Sequence, residues 1–286
     1  MMKVLFSIVA LFLGATAAAQ GVYQNSHPVP PSVPSYVVFC GDTVRFDTPE
    51  KYERMDRELI TFSYMHTTTT LMLKRSLRYF ALVTPIMKEL GIPEDFKYLM
   101  VIESNLDPQA VSVTGAAGLW QFTRATAQEF GLEVNAEVDE RYHMVKETEA
   151  ACAYLKRAYE RYGDWLTVAA SYNCGMGGMS RRVDEQRQKS FFDLLLPEET
   201  TRYVYRILTA KMLFENPAAF GYNVLDRYPL IKSQVTFTTS DPIPSLVDLA
   251  ERYGVSYAAL KRANLWLRSD KITNKARKTY SIEIPR

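Results

Sequence analysis

The chain is poor in the residues that hold small secreted folds or metal centres together. Of its 286 residues only three are cysteines, Cys40, Cys152 and Cys174. An odd count leaves at least one thiol unpaired within the chain and excludes a disulfide scaffold, so a sizeable hydrophobic core must hold the fold. Histidine is as scarce: His27, His66 and His143 are scattered without metal-ligand spacing, so neither a metal nor another cofactor is expected. An excess of one charge is also missing. With 34 Lys+Arg against 32 Asp+Glu, a net charge of +2 and no long basic run, a nucleic-acid partner is not expected. After the N-terminus, no apolar stretch approaches the ~20 residues of a membrane-spanning helix. No internal repeat is visible.

What is present is a 47% hydrophobic content with 23% charged residues, the balance of a packed globular protein. The first residues stand apart. Lys3 precedes an apolar stretch from Val4 to Leu13, and a small-residue run follows with Ala17 and Ala19 in an Ala-x-Ala arrangement. This reads as a signal peptide over residues 1–19. Because no cysteine follows the run, a lipid anchor is not expected. Residues 20–47 read as an extended N-terminal segment, rich in proline at first, with a short strand or surface arm from Tyr36 to Phe46.

From Thr48 the pattern is helical. Thr48 can cap and Pro49 suits the first helical position of a helix to about Met65. A second helix follows Thr67–Thr70 and stops at Gly91. Pro93-Glu94-Asp95 opens a third, which must end near Asn105 because Pro108 disfavours a helical Asp107. Residues 109–118 read as loop, Thr123–Phe130 as a short helix, and 147–162 as an amphipathic helix. Asp164 can cap a helix over Trp165–Asn173, ended by Gly175, Gly177 and Gly178, and Pro197 opens a last long helix to about Glu215. The expected architecture is a mainly α domain over 48–219. A linker and a small βααβ module occupy 220–286, with strands at Val235 and at Thr279–Ile284.

Glu103 is the most unusual residue. It follows Tyr98-Leu99-Met100-Val101-Ile102, on a helix apolar around most of its circumference. Low-polarity surroundings disfavour the charged carboxylate and raise its pKa, and a carboxylic acid still protonated near neutral pH can act as a general acid. A helix-end glutamate facing solvent is the alternative.

The motifs downstream decide between them. Glu103-Ser104 is followed by Ser112-x-x-Gly115-Ala-Ala-Gly118-Leu119-Trp120-Gln121, then by Ala170-Ser171-Tyr172-Asn173 and Glu199-Thr200-x-x-Tyr203-Val204. In order and spacing this set resembles the family 1 lytic transglycosylases, and the Trp at 120 resembles their membrane-bound D branch. The resemblance covers about residues 90–215. It implies a lysozyme-like (goose-type) helical catalytic domain acting on peptidoglycan glycan strands. Glu103 would protonate the glycosidic oxygen beside MurNAc and then accept the proton of the sugar's own 6-hydroxyl, giving a 1,6-anhydro product without water. By motif position Ser112, Gln121 and Asn173 would bind the catalytic carboxyl or the acetamido groups, and Tyr203 would stand near the acid; the alternatives are loop-amide partners for Ser112 and Gln121, a helix C-cap for Asn173 and a core position for Tyr203. For Trp120 two readings stay open, stacking on a sugar ring or filling the core. Asp107, the only acidic neighbour in sequence, is expected to point away. Its rivals are a goose-type-lysozyme-like hydrolase, which needs a second carboxylate to activate water, and a catalytically silent glycan-binding or scaffold protein.

The stretch Leu246-x-x-Leu249-Ala250-x-x-Tyr253-Gly254-Val255-Ser256, with Leu260, Asn264 and Ile282-x-Ile284-Pro285, resembles LysM. Its start, Ser240-Asp241-Pro242-Ile243-Pro244, and its last loop, Lys275–Lys278, depart from the LysM pattern. Glycan binding and a packing module that orients the catalytic domain both stay open, and a chain ending near Asn223 is expected to fold and act on soluble fragments. Secretion together with this substrate places the protein in a bacterial envelope, as a periplasmic enzyme with room for envelope protein partners.

Overall fold

A computed structural model describes residues 29–230 and 235–285; the signal-peptide reading lies outside them. The first element is a hairpin, β1 (Tyr36–Phe39) and β2 (Asp42–Arg45), paired antiparallel with Val37 opposite Val44. Its two-residue turn places both Cys40 (φ 55°) and Gly41 (φ 92°) in the left-handed region, the requirement of a tight hairpin turn. Alternate side chains Val37, Phe39, Val44 and Phe46 are buried, and the Phe39 ring meets Phe96 edge-on at 5.6 Å. The segment expected as a strand or surface arm is therefore part of the helical core.

Helix α1 (Pro49–Tyr64) starts where predicted, with Thr48 Oγ1 accepting from the Lys51 amide at 3.3 Å. Helix α2 (His66–Glu89) begins one residue after Met65 and absorbs the threonine run; Thr69 Oγ1 donates to the Phe62 carbonyl at 3.0 Å and is buried. A 3-10 turn over Glu94–Phe96 leads into α3 (Lys97–Ser104), which ends at a left-handed Asn105. Tyr98 to Ile102 are all buried, as the unbroken apolar run requires.

Helix α4 (Arg124–Glu129), capped by Thr123, precedes α5 (Met144–Tyr162), α6 (Trp165–Cys174) and α8 (Glu198–Glu215). Between the last two lies α7 (Met176–Gln186), which sequence reading missed. Gly175 ends α6, but Gly177 and Gly178 sit inside α7, which is anchored by buried Met179 and Ser180. One continuous apolar core unites the hairpin, α1, α2, α3, α5, α6 and α8.

The C-terminal part is a βααβ unit: β3 (Val235–Thr239), α9 (Leu246–Arg252), α10 (Tyr257–Ala263) and β4 (Tyr280–Ile284). Strands β3 and β4 pair antiparallel, with Phe237 opposite Ile282. Its core, with Leu246, Leu260, Trp266 and Ile282, takes in Ala117, Val138 and Tyr142 from the helical part. That shared core favours the packing reading of the module. The mainly α architecture with a small mixed C-terminal unit is the one the sequence predicts.

Candidate active site

Glu103 lies one residue from the end of α3, where the apolar run gives way to the left-handed Asn105 and Leu106. The sharp exit turns the chain out of α3 while Leu106 stays buried in the core. Glu103 is half-buried, and burial pushes its carboxyl from 4.5 up to about 7. A hydrogen bond donated by the Tyr203 hydroxyl and the positive charge of Arg206 oppose that rise, whereas the charge of Glu199 reinforces it. Desolvation wins, so the acid is poised to give and to take a proton near neutral pH.

The three groups around it come from one face of α8. Glu199, Tyr203 and Arg206 are spaced four and three residues apart, which stacks them along one side of a helix. Tyr203 is buried, and burial beside the Glu103 charge raises its phenol well above the usual range. It serves as a donor, not as a base. In the sequence Glu199 is only a letter of its motif and Arg206 lies outside every motif, since only the fold brings them near Glu103.

Asp107 is held elsewhere. Its Oδ2 accepts from Arg75 Nη2 at 3.2 Å and its Oδ1 from the Gln109 amide at 3.0 Å. Arg75 also donates to the Asn105 carbonyl at 3.1 Å, so α2 fixes the chain as it leaves α3.

The loop from Ala110 to Phe122 folds back on itself. Ser112 Oγ accepts from the Ala116 amide at 3.0 Å and lies 3.0 Å from Thr114 Oγ1. Gln121 has φ 51°, and its Nε2 donates to the carbonyls of Ala110 at 3.0 Å and Gly118 at 2.9 Å. Both side chains thus satisfy their own loop first, and Gln121 Oε1 has no partner among the described residues. Trp120 needs correcting as a sugar platform. It is 0% exposed, and its Nε1 donates to Thr148 Oγ1 at 3.0 Å. A ring enclosed on every side cannot stack on a ligand, so it fills the core.

Asn173, the penultimate residue of α6, accepts at Oδ1 from Thr200 Oγ1 at 2.8 Å. Its amide nitrogen has no partner among the described residues. The residue before it, Tyr172, donates to the Trp120 carbonyl at 2.8 Å and packs against Tyr154 at 4.9 Å between ring centroids. Tyr172 thereby ties α6 to the loop, and its phenol is raised by burial and by the Glu103 charge.

Sequence reading also missed what holds the loop from behind. Arg141 pairs bidentately with Asp139, Nε to Oδ1 at 2.9 Å and Nη2 to Oδ2 at 2.7 Å, both side chains buried. Its Nη1 donates to the carbonyls of Gly115 at 2.8 Å and Phe122 at 3.2 Å. Glu147, wholly buried, accepts the Trp120 amide at 3.2 Å, and burial raises its carboxyl well above the ordinary value. In sequence, Glu147 looks like any acidic residue in a first helical turn.

Residues 87–195 match the transglycosylase SLT domain family, and residues 235–286 match the soluble lytic transglycosylase C-terminal LysM-like domain. Residues 87–195 form a transglycosylase SLT domain. The chain is 30% identical over 234 residues to membrane-bound lytic murein transglycosylase D of Escherichia coli strain K12, covering 79% of this chain and 50% of that protein. It is 38% identical over 103 residues to membrane-bound lytic murein transglycosylase F of Maricaulis maris, covering 32% of this chain and 21% of the relative. Among solved structures, lytic transglycosylase Slt of Pseudomonas aeruginosa aligns with a TM-score of 0.41 at 20% identity, over 52% of this chain and 26% of that one. The chain thus spans half the length or less of these relatives. Glu103, all of the 110–122 loop and Asn173 fall inside the SLT domain match, whereas Tyr203 and its neighbours on α8 lie beyond residue 195, where it ends.

Proposed function

We propose that the protein is a peptidoglycan lytic transglycosylase that cleaves the bond between MurNAc and GlcNAc without water. The observation that carries this reading is the half-buried Glu103 with its carboxyl at about 7, inside the SLT domain and bonded by Tyr203. Glu103 donates its proton to the glycosidic oxygen as the bond to the MurNAc anomeric carbon breaks. The resulting carboxylate, stabilised by the Tyr203 hydroxyl, takes the proton of the 6-hydroxyl as that oxygen bonds to the same carbon. One carboxyl then serves twice, and the nucleophile is already attached to the substrate, which replaces the ordering of a water. Asn173, through its unpartnered amide nitrogen, and Gln121, through Oε1, are the groups we assign to the acetamido substituents. Ser112 shapes the turn that presents Gln121.

The hydrolase reading would need a second carboxylate to activate water. Asp107 is committed to Arg75, which supports the single-acid mechanism. Glu199 is exposed, yet its charge reaches Glu103, so among the described residues it is the carboxylate through which hydrolysis could proceed. Digestion of purified sacculi followed by mass analysis separates the two. A 1,6-anhydro-MurNAc terminus, one water lighter than the lysozyme product, is expected, and reducing-end MurNAc as the main product would overturn the reading. No helix among the described residues is long and apolar enough to cross a membrane. We place the activity in the bacterial cell envelope, in the periplasm, on the strength of the substrate and of the signal-peptide reading of residues 1–19.

A further inference from the structure

The C-terminal module meets the SLT domain along a seam built like the edge of a sheet. The Asp139 amide donates to the Trp266 carbonyl at 2.9 Å, the Arg268 amide donates to the Glu137 carbonyl at 2.8 Å, and Val138 bridges Leu267 antiparallel. Side chains close it on both sides. Glu133 Oε2 accepts from Lys278 Nζ at 3.0 Å and Tyr280 Oη at 2.9 Å, and Glu137 accepts both the amide, at 2.7 Å, and the hydroxyl of Thr273. The guanidinium of Arg268 lies 4.5 Å from the centre of the Tyr142 ring, and Trp266 packs on His143 at 5.5 Å. Val138, Leu267 and Trp266 are all buried in this contact. A flexible tether would show none of these main-chain bonds.

The seam continues directly into the loop beside Glu103. Asp139 is both the residue whose amide Trp266 receives and the residue that holds Arg141, and Arg141 in turn holds the carbonyls of Gly115 and Phe122. Ala117, in the middle of that loop, is 1% exposed because it lies in the module's own core. Every step from Trp266 to the Gly115–Gln121 turn is therefore a hydrogen bond or a buried contact.

We propose that the C-terminal module is a positioning element of the catalytic site: by fixing Val138–Arg141 along the seam it sets the turn that carries Ser112, Gly118 and Gln121. The module acts on turnover of any substrate, including fragments too short to reach it. This rests on the transglycosylase reading of the site. It also reverses the expectation that a chain ending near Asn223 keeps its activity on soluble fragments.

The test uses the full chain and short soluble glycan fragments, so that glycan binding by the module plays no part. Leu267→Asp opens the seam from its buried centre. The triple variant Glu133→Ala, Glu137→Ala and Arg268→Ala weakens it only through partly exposed contacts, which keeps a folded protein available if the first variant misfolds. Hydrogen exchange at the amides of Asp139 and Arg268 reports how far the seam has opened. The expected result is a kcat lower by about ten- to a hundred-fold, the scale of a small displacement at a reacting centre, with KM within about threefold, the helical circular dichroism retained, and the loss growing with exchange. An open seam with unchanged kcat would overturn the proposal. If the wild-type chain cleaves no glycan at all, the transglycosylase reading fails instead, and the exchange data are unaffected.

Discussion

The hydroxyl of Tyr203 donates to Oε1 of Glu103 across a separation of 100 residues, joining the second turn of α8 to the end of α3. That bond favours the ionised carboxylate, while burial favours the neutral acid, and burial has the larger effect. The site therefore holds an acid whose two forms are nearly balanced at neutral pH and whose charged form has a dedicated donor.

Activity should fall as pH rises through about 7, because the protonated Glu103 starts the reaction. The same shift acts on stability. Between the ordinary carboxyl value of 4.5 and about 7 the folded state binds more protons than the unfolded state, so the Glu103 contribution to stability is full below 4.5 and is lost as pH rises through 7. Glu103→Gln should therefore be more stable than the wild type above pH 7, by on the order of 3 kcal/mol, and about equal to it at pH 4. Chemical denaturation at both pH values measures the difference, and an equal gap at both would contradict it.

Tyr203→Phe removes the donor that favours the charged form of Glu103. The midpoint of the basic limb should move upward from about 7, and turnover at its optimum should drop by about ten- to a hundred-fold, the worth of one hydrogen bond to a charged group. A midpoint that stays put or moves down would show that this bond has no influence on the acid.

Three conservative replacements rank the carboxylates. Glu103→Gln should reduce turnover by at least the ~10²–10⁴-fold of positioned acid–base catalysis. Asp107→Asn should cost much less, since that carboxylate is paired with Arg75 and acts only on loop shape. Glu199→Gln should lower the Glu103 pKa slightly, because it removes a like charge, and should leave the anhydro product unchanged. A loss in Glu199→Gln as large as that in Glu103→Gln would identify a two-carboxylate hydrolase.

The contrast between legible and hidden parts has physical causes. The end of α3 could be read because Pro108 restricts Asp107, and the environment of Glu103 because five apolar residues in a row leave a short helix no polar face. The hairpin at Tyr36–Arg45 was ambiguous: its turn uses Cys40 at φ 55° where asparagine or glycine would have announced it. Helix α7 was hidden by Gly177 and Gly178, whose low helix propensity is overridden by the burial of Met179. The loop supports Asp139, Arg141 and Glu147 carry no periodic or spacing signal, since their roles exist only through contacts made in three dimensions. Trp120 could be named from its motif but not placed, because an indole suits a sugar face and a core equally well until its enclosure is known.

Gly118 and Gly115 both lie in the loop at positive φ, +84° and +80°, and they should respond very differently to alanine. At Gly115 nothing lies within 4 Å of an added Cβ, so Gly115→Ala bears only the left-handed backbone cost of about 1–2 kcal/mol. At Gly118 the same atom would sit 1.8 Å from the Arg141 carbonyl oxygen and 2.5 Å from Glu147 Oε2. Neither neighbour can retreat. The Arg141 carbonyl is backbone whose side chain is fixed by Asp139, and the Glu147 carboxyl is buried while accepting the Trp120 amide. Gly118→Ala must therefore displace the loop, breaking its hold on Trp120 and Gln121, and a loss above about 4 kcal/mol is expected, in the range that marks a specific structural break. Thermal unfolding of the two variants checks the ranking, and kcat on soluble fragments should follow it. Equal stabilities would mean that the turn is not clamped between α5 and the Asp139–Arg141 pair.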